Sequence, residues 1–137
     1  MVFAWLLRVS DDFVDLTRHI IGAAIAVHRE LGPGLLESAY ESCLAFELAD
    51  RGLRAERQKA LPLMYRGQHM SNGYRVDLIV EHSVIVEVKS VERLDAIHTA
   101  QLLAYLRLSG CTVGLLLNFN VRWLVDEGVK RVVHGFR

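Results

Sequence analysis

Apolar residues first recur at helical spacing. Leu16, Ile20, Ala23, Ala24, Val27 and Leu31 fall at three- and four-residue intervals, which predicts a helix with one buried stripe that stops at Gly32-Pro33-Gly34. Ser10-Asp11-Asp12 stands ahead of the stripe as the expected N-cap group. A second stripe through Leu36, Ala39, Tyr40, Cys43, Leu44 and Leu48 predicts a helix over about 36–50, closed by Arg51-Gly52. From Leu53 the period shortens to two: Leu61, Leu63 and Tyr65 alternate with more polar neighbours up to Gly67, a strand that Pro62 places at a sheet edge. Strand patterns over about 74–80 and 84–90 flank Glu81-His82-Ser83, as in an antiparallel hairpin. Asp95 caps an expected helix over about 96–108, the apolar run 112–117 predicts a central strand covered on both faces, and 129–133 a short last strand. The order predicts an α/β domain with a single mixed β-sheet flanked by helices.

The hairpin changes the picture from fold to chemistry. Arg75, Asp77, Glu87 and Lys89 interrupt strands that are otherwise strongly apolar. A turn centred on His82 sets Asp77 opposite Glu87 and Arg75 opposite Lys89, all on one face by parity, with Val76, Leu78, Val84, Val86 and Val88 on the other. Two carboxylates about 5 Å apart repel by roughly 3 kcal/mol at an effective dielectric of about 20, so folding alone does not favour the pairing. A shared proton, the flanking Arg75 and Lys89, or a divalent cation would neutralise it, and hard oxygen donors select Mg²⁺ or Mn²⁺. The next helix carries a polar stripe, His98, Gln101 and Tyr105, from which Gln101 can reach the hairpin face.

Composition narrows the classes. The length of 137 residues suits one domain, and 52% hydrophobic residues exclude global disorder. Sixteen Lys plus Arg balance sixteen Asp plus Glu, which argues against coating nucleic acid by charge alone. Arg51, Arg54, Arg57, Lys59, Lys130 and Arg131 are the candidates for a local basic groove. Cys43 and Cys111 lack any zinc-like spacing and read as buried free thiols. The N-terminus is apolar for only seven residues before Arg8, which fits neither an export signal nor a membrane span; with reduced thiols, this gives the expectation of a cytoplasmic protein. No Gly-x-Ser-x-Gly turn supports a serine hydrolase.

Gly34-Leu35-Leu36-Glu37-Ser38-Ala39-Tyr40 reads as Gly-x-x-Glu-x-x-Tyr, the signature of a family of small bacterial and archaeal proteins. His28-Arg29-Glu30-Leu31-Gly32-Pro33-Gly34 and Leu116-Leu117-Asn118-Phe119 are also similar to it. The chain thus resembles the GxxExxY family, grouped with the PD-(D/E)XK nuclease-like superfamily, over about 16–133. The resemblance implies a restriction-endonuclease-like core of helix, three antiparallel strands, helix and strand in a domain over 16–137, with 1–15 as an apolar extension and helix cap. It also implies that Asp77 is the aspartate of the first motif, with Val76 in the place of the motif's proline, and that Glu87 and Lys89 are the acid and lysine of the second. Glu37 would be the helix carboxylate and Gln101 the polar residue that follows.

The expected function is then metal-dependent phosphodiester hydrolysis in nucleic acid, with Mg²⁺ or Mn²⁺ on Asp77, Glu87 and the Val88 carbonyl. Glu37 would bind metal through water or anchor a second ion, Lys89 would position the nucleophile, and Gln101 would orient a water or Lys89. The rival expectation is a non-catalytic module that keeps the fold and binds nucleic acid or a protein partner; zero net charge favours it. No membrane partner is expected, and a monomer and a homodimer are both open.

Overall fold

A computed structural model describes residues 2–70 and 73–135, with side chains in the first helix described from Val14 onward. Helices α1 (Val2–Leu31) and α2 (Glu37–Asp50) precede strand β1 (Ala55–Ala60) and a small hairpin of β2 (Leu63–Tyr65) and β3 (Gln68–Met70). Strands β4 (Arg75–Val80) and β5 (Val84–Lys89), helix α3 (Ala96–Ser109), strand β6 (Val113–Asn118), a π-type turn (Leu124–Gly128) and strand β7 (Val129–Val133) complete the chain. One five-stranded mixed sheet has the order β1-β4-β5-β6-β7. Only β5 and β6 pair in parallel, because the chain crosses over through α3 between them; the other neighbours are antiparallel.

Alternation divides the core. Val84, Val86 and Val88 of β5, with Val113, Leu115 and Leu117 of β6, face α1 and α2, where Ile20, Ala23, Val27, Leu44 and Leu48 close over them. Ile85 and Leu116 face the other way and pack with Leu102 and Leu106 of α3. Glu87 has the parity of Ile85, so a carboxyl group enters an otherwise apolar layer on the α3 side.

The structure departs from expectation in four places. Helix α1 passes through Ser10-Asp11-Asp12, so these residues do not cap it; no Pro or Gly interrupts the chain before Gly22. The strand expected up to Gly67 divides at Pro62. Leu61 still donates its N–H to the Tyr74 carbonyl (2.6 Å), but Pro62 has no donor, and the chain leaves the sheet for a hairpin whose turn, Arg66-Gly67, has both φ angles positive. Cys43 is exposed and Cys111 half-buried, because the buried stripe of α2 runs through Tyr40, Glu41, Leu44 and Leu48 and leaves position 43 beside it. Val76 joins the α3-side core with Leu61 and Ile79 rather than the face of Leu78.

Candidate active site

Strand β4 loses its regular pairing on both edges at one residue, Asp77. Toward β5 the ladder runs Val80–Val84, Ile79–Ile85, Leu78–Val86 and then stops. The Val88 N–H, which would continue it, instead donates to Asp77 Oδ2 at 2.8 Å, and the Asp77 N–H lies 3.4 Å from Glu87 Oε2. Toward β1 the ladder skips the Gln58–Asp77 pair, although Arg57–Leu78 and Lys59–Val76 on either side are formed. Gln58 sits there with φ +49°, a left-handed backbone that costs a non-glycine residue on the order of 1 kcal/mol. This conformation carries its amide to two carboxylates at once: Nε2 donates to Glu41 Oε1 (2.6 Å) and to Asp77 Oδ1 (3.3 Å). Glu41, buried in α2, also accepts from the Arg57 guanidinium at 3.0 Å. Carboxylates and one amide thus replace backbone pairing where the strands open.

The electrostatics follow from burial. Glu87 is only 5% exposed, and desolvation pushes its carboxyl up to about 9; a hydrogen bond to Asp77 and the charge of that neighbour add to the rise, while the Lys89 ammonium opposes it. At neutral pH the pair therefore keeps a proton. Arg75 does not neutralise it, because its guanidinium is turned to the Gln58 carbonyl at 3.5 Å. Tyr105, from α3, is raised above the usual phenol value by burial first and then by the charges of Glu87 and Asp77; Tyr74 packs against its ring, with centroids 5.7 Å apart.

The donor set suits a small hard cation. Asp77 and Glu87 supply carboxylate oxygens, and because a strand residue points its N–H and C=O to the same side, the Val88 carbonyl also faces the opened β4 edge. Among the described residues, no three side chains of His, Cys, Asp or Glu form a closed metal cage. Two carboxylates with the rest of the sphere left to water is what Mg²⁺ tolerates and a structural zinc site does not.

Behind the site, a packed joint fixes the chain around Lys89. The buried Asn118 of β6, level with Lys89, accepts from the Val91 N–H (3.0 Å) and donates to the Val91 carbonyl (3.0 Å). Phe119 donates its N–H to the Lys89 carbonyl at 2.9 Å and stacks on Tyr40, with centroids 4.6 Å apart and planes within 9°. The Tyr40 hydroxyl donates to the Gly32 carbonyl (2.5 Å) and accepts from the Leu35 N–H (3.1 Å), while Ser90 Oγ donates to the Leu35 carbonyl at 2.6 Å. His28 Nε2 reaches the Val121 carbonyl at 2.8 Å. The stretches 28–40 and 116–119, read in the sequence as family signatures, meet here as one support for the residues after β5.

A family model described as the PD-(D/E)XK nuclease superfamily matches residues 14–132. The chain belongs to that superfamily. No curated protein and no solved structure matches it. The mixed sheet flanked by helices is the restriction-endonuclease-like fold of PD-(D/E)XK proteins. Against the PD-(D/E)XK pattern, Asp77, Glu87 and Val88 converge on the opened ladder position, and Lys89 ends β5 next to them. Glu37 stands exposed at the first residue of α2, one turn before Glu41 on the same helix face, without a side-chain hydrogen bond or ion pair among the described residues. Gln101 is likewise exposed, one turn before Tyr105, and makes no side-chain hydrogen bond among the described residues. His98 is occupied as a helix-terminal partner, accepting the Asp95 N–H on Nδ1 at 2.9 Å. Glu41 and Gln58 are the site residues that periodicity missed. The only signal for Glu41 was its four-residue offset from Glu37, and Gln58 has none, since its role depends on a backbone conformation its side chain does not favour.

Proposed function

We propose that this PD-(D/E)XK protein hydrolyses phosphodiester bonds in nucleic acid with Mg²⁺ or Mn²⁺. The observation that carries the reading is the Asp77–Glu87 pair, set into a broken strand ladder next to Lys89 and too close to ionise fully without a cation. Asp77, Glu87 and the Val88 carbonyl would hold the ion, and Glu41, which shares the Gln58 amide with Asp77, and Glu37, one turn before it, would hold its waters. When bound, the metal supplies Lewis-acid charge to the scissile phosphate and acidifies water. Lys89, anchored through its own carbonyl to Phe119, places its ammonium on the α3 side to orient the nucleophile or balance negative charge in the transition state. Gln58 holds Asp77 through its amide, and Tyr105, whose phenol feels both acids, would border the site from α3. Gln101, one turn from Tyr105, would orient water at the mouth.

One observation favours the rival reading, a binding module that retains the fold. Of the basic residues expected to form a groove, Arg51, Arg57 and Lys59 are each paired with a glutamate at 3.0 Å, Arg54 is bonded to His82, and Lys130 and Arg131 lie on β7 at the opposite edge of the sheet from β1. Cleavage assays with Mg²⁺ and Mn²⁺ on single- and double-stranded DNA and RNA separate the two. Hydrolysis by the wild type that Lys89→Ala reduces at least about 100-fold, with unchanged circular dichroism, supports the enzyme. Equal cleavage by both preparations refutes it, and metal binding with no cleavage selects the binding module.

A further inference from the structure

The charge a polyanion needs lies elsewhere on the surface. A cavity of about 460 Å³ opens between the end of α1, the Gly32-Pro33 loop and the segment entering the π-type turn, and its wall carries Arg29, Arg122, Trp123 and Asp126. Among the described residues neither arginine has an acidic partner within ion-pair distance, unlike Arg51, Arg57 and Lys59, so two guanidinium groups against one carboxylate leave the rim cationic. Arg122 lies over one face of the Trp123 indole, 5.2 Å from its centroid, and Trp123 is still 58% exposed. An aromatic of this size normally contributes its area to a core, whereas here the ring stands at the mouth of a concave site beside two cations.

The cavity also has a fixed relation to the carboxylates. Strands β5 and β6 run parallel with Lys89 level with Asn118, so the segment that leads to Trp123 leaves the sheet at the end where Lys89 stands. The Gly32-Pro33 loop continues to Leu35, which accepts the Ser90 hydroxyl one residue beyond Lys89. The cavity and Lys89 therefore lie toward the same end of the sheet, the cavity on the α1 side and Glu87 on the α3 side.

We infer that Trp123, Arg122 and Arg29 form a subsite for an unpaired nucleotide of a single-stranded nucleic acid, the base stacking on the indole and a phosphate meeting the guanidinium groups. Stacking is tolerant of base identity, and an exposed ring reaches only a base released from a duplex, so the ligand class is single-stranded DNA or RNA without strong sequence preference. The inference deepens the proposed function, from which it takes the nucleic-acid substrate.

The test measures binding in EDTA, where metal-dependent cleavage cannot occur. The chain has two tryptophans, so the Trp5→Phe protein reports on Trp123 alone. Titration with thymidine and uridine oligomers of about eight nucleotides should quench its emission saturably. Fluorescence polarisation with the same labelled oligomers, on the otherwise wild-type chain, should show Trp123→Ala binding roughly tenfold or more weakly. Arg29→Ala and Arg122→Ala should each reduce the salt slope of binding by about 0.7. Trp123→Ala binding within about twofold of wild type overturns the subsite, as does saturation without quenching, absence of binding, or preference for a duplex. Cleavage assays of the wild type with Mg²⁺ separate this from the catalytic reading: binding through Trp123 without cleavage refutes the enzyme and keeps the subsite, whereas cleavage with Trp123→Ala binding unchanged keeps the enzyme and overturns the subsite.

Discussion

A divalent ion entering between Asp77 and Glu87 must displace the proton that burial keeps on the pair. With the Glu87 carboxyl at about 9, ionisation at pH 7 lies about 2 pH units uphill, which takes about 3 kcal/mol from the binding free energy and weakens apparent affinity about 100-fold relative to the alkaline limit. Between about pH 6 and pH 8 the apparent association constant for Mg²⁺ or Mn²⁺ should therefore rise about tenfold per pH unit, flattening above about pH 9. Isothermal titration at pH 7 in two buffers of different ionisation enthalpy, such as PIPES and imidazole, should give a slope near one proton released per ion bound. Glu87→Gln should abolish both proton release and tight binding. The same shift makes a stability statement about the metal-free protein. Because the folded-state value lies above the unfolded one, the contribution of Glu87 is full below about pH 4.5 and is lost as pH rises toward about 9; Glu87→Gln should remove that decline from urea denaturation midpoints. Metal affinity that stays flat from about pH 6 to pH 8, or binding without proton release, would refute the claim that the two acids share a buried, proton-holding site.

Two further predictions concern the joint behind Lys89. Tyr40→Phe keeps the stack on Phe119 but removes the hydroxyl that bonds Gly32 and Leu35, so unfolding free energy should fall by about 1–2 kcal/mol in urea titrations, and cleavage should fall with it because the Ser90 contact is loosened. Asn118→Leu leaves the N–H groups of Val91 and Asn120 without their acceptor and should destabilise by about 2–4 kcal/mol; a loss below about 1 kcal/mol would mean that water replaces the amide.

Much of the fold was readable because single residue types dominate single elements. The β-branched runs of β4 and β5, the glycine after α3 and the apolar run of β6 each have one good local solution, and the turn centred on His82 gave the observed register of Leu78–Val86 through Val80–Val84. The approach of Asp77 to Glu87 followed from that register. Its form did not: parity describes an intact ladder, whereas here the carboxylates replace the ladder bonds, which turns Arg75 away from the acids. Glu41 was unreadable because a charged residue in a helix is expected on the water side, and its burial depends on Arg57 and Gln58 from a strand that the sequence pattern itself placed too late. Tyr40 was legible as part of the apolar stripe of α2, but not that its hydroxyl ties the preceding loop or that its ring stacks on Phe119, a contact between segments far apart in the chain.

The parallel junction of β5 with β6 has a kinetic consequence. Its partners are about thirty residues apart, with α3 in the intervening loop, so the closure entropy must be met before Lys89 gains its neighbours on β6. Hairpin β4–β5, closed by three residues, can form on its own and bring the two acids together much earlier. A nascent or partly folded chain would then hold a crude chelating pair with its ammonium unanchored, and competence would arrive only with the last long-range contacts.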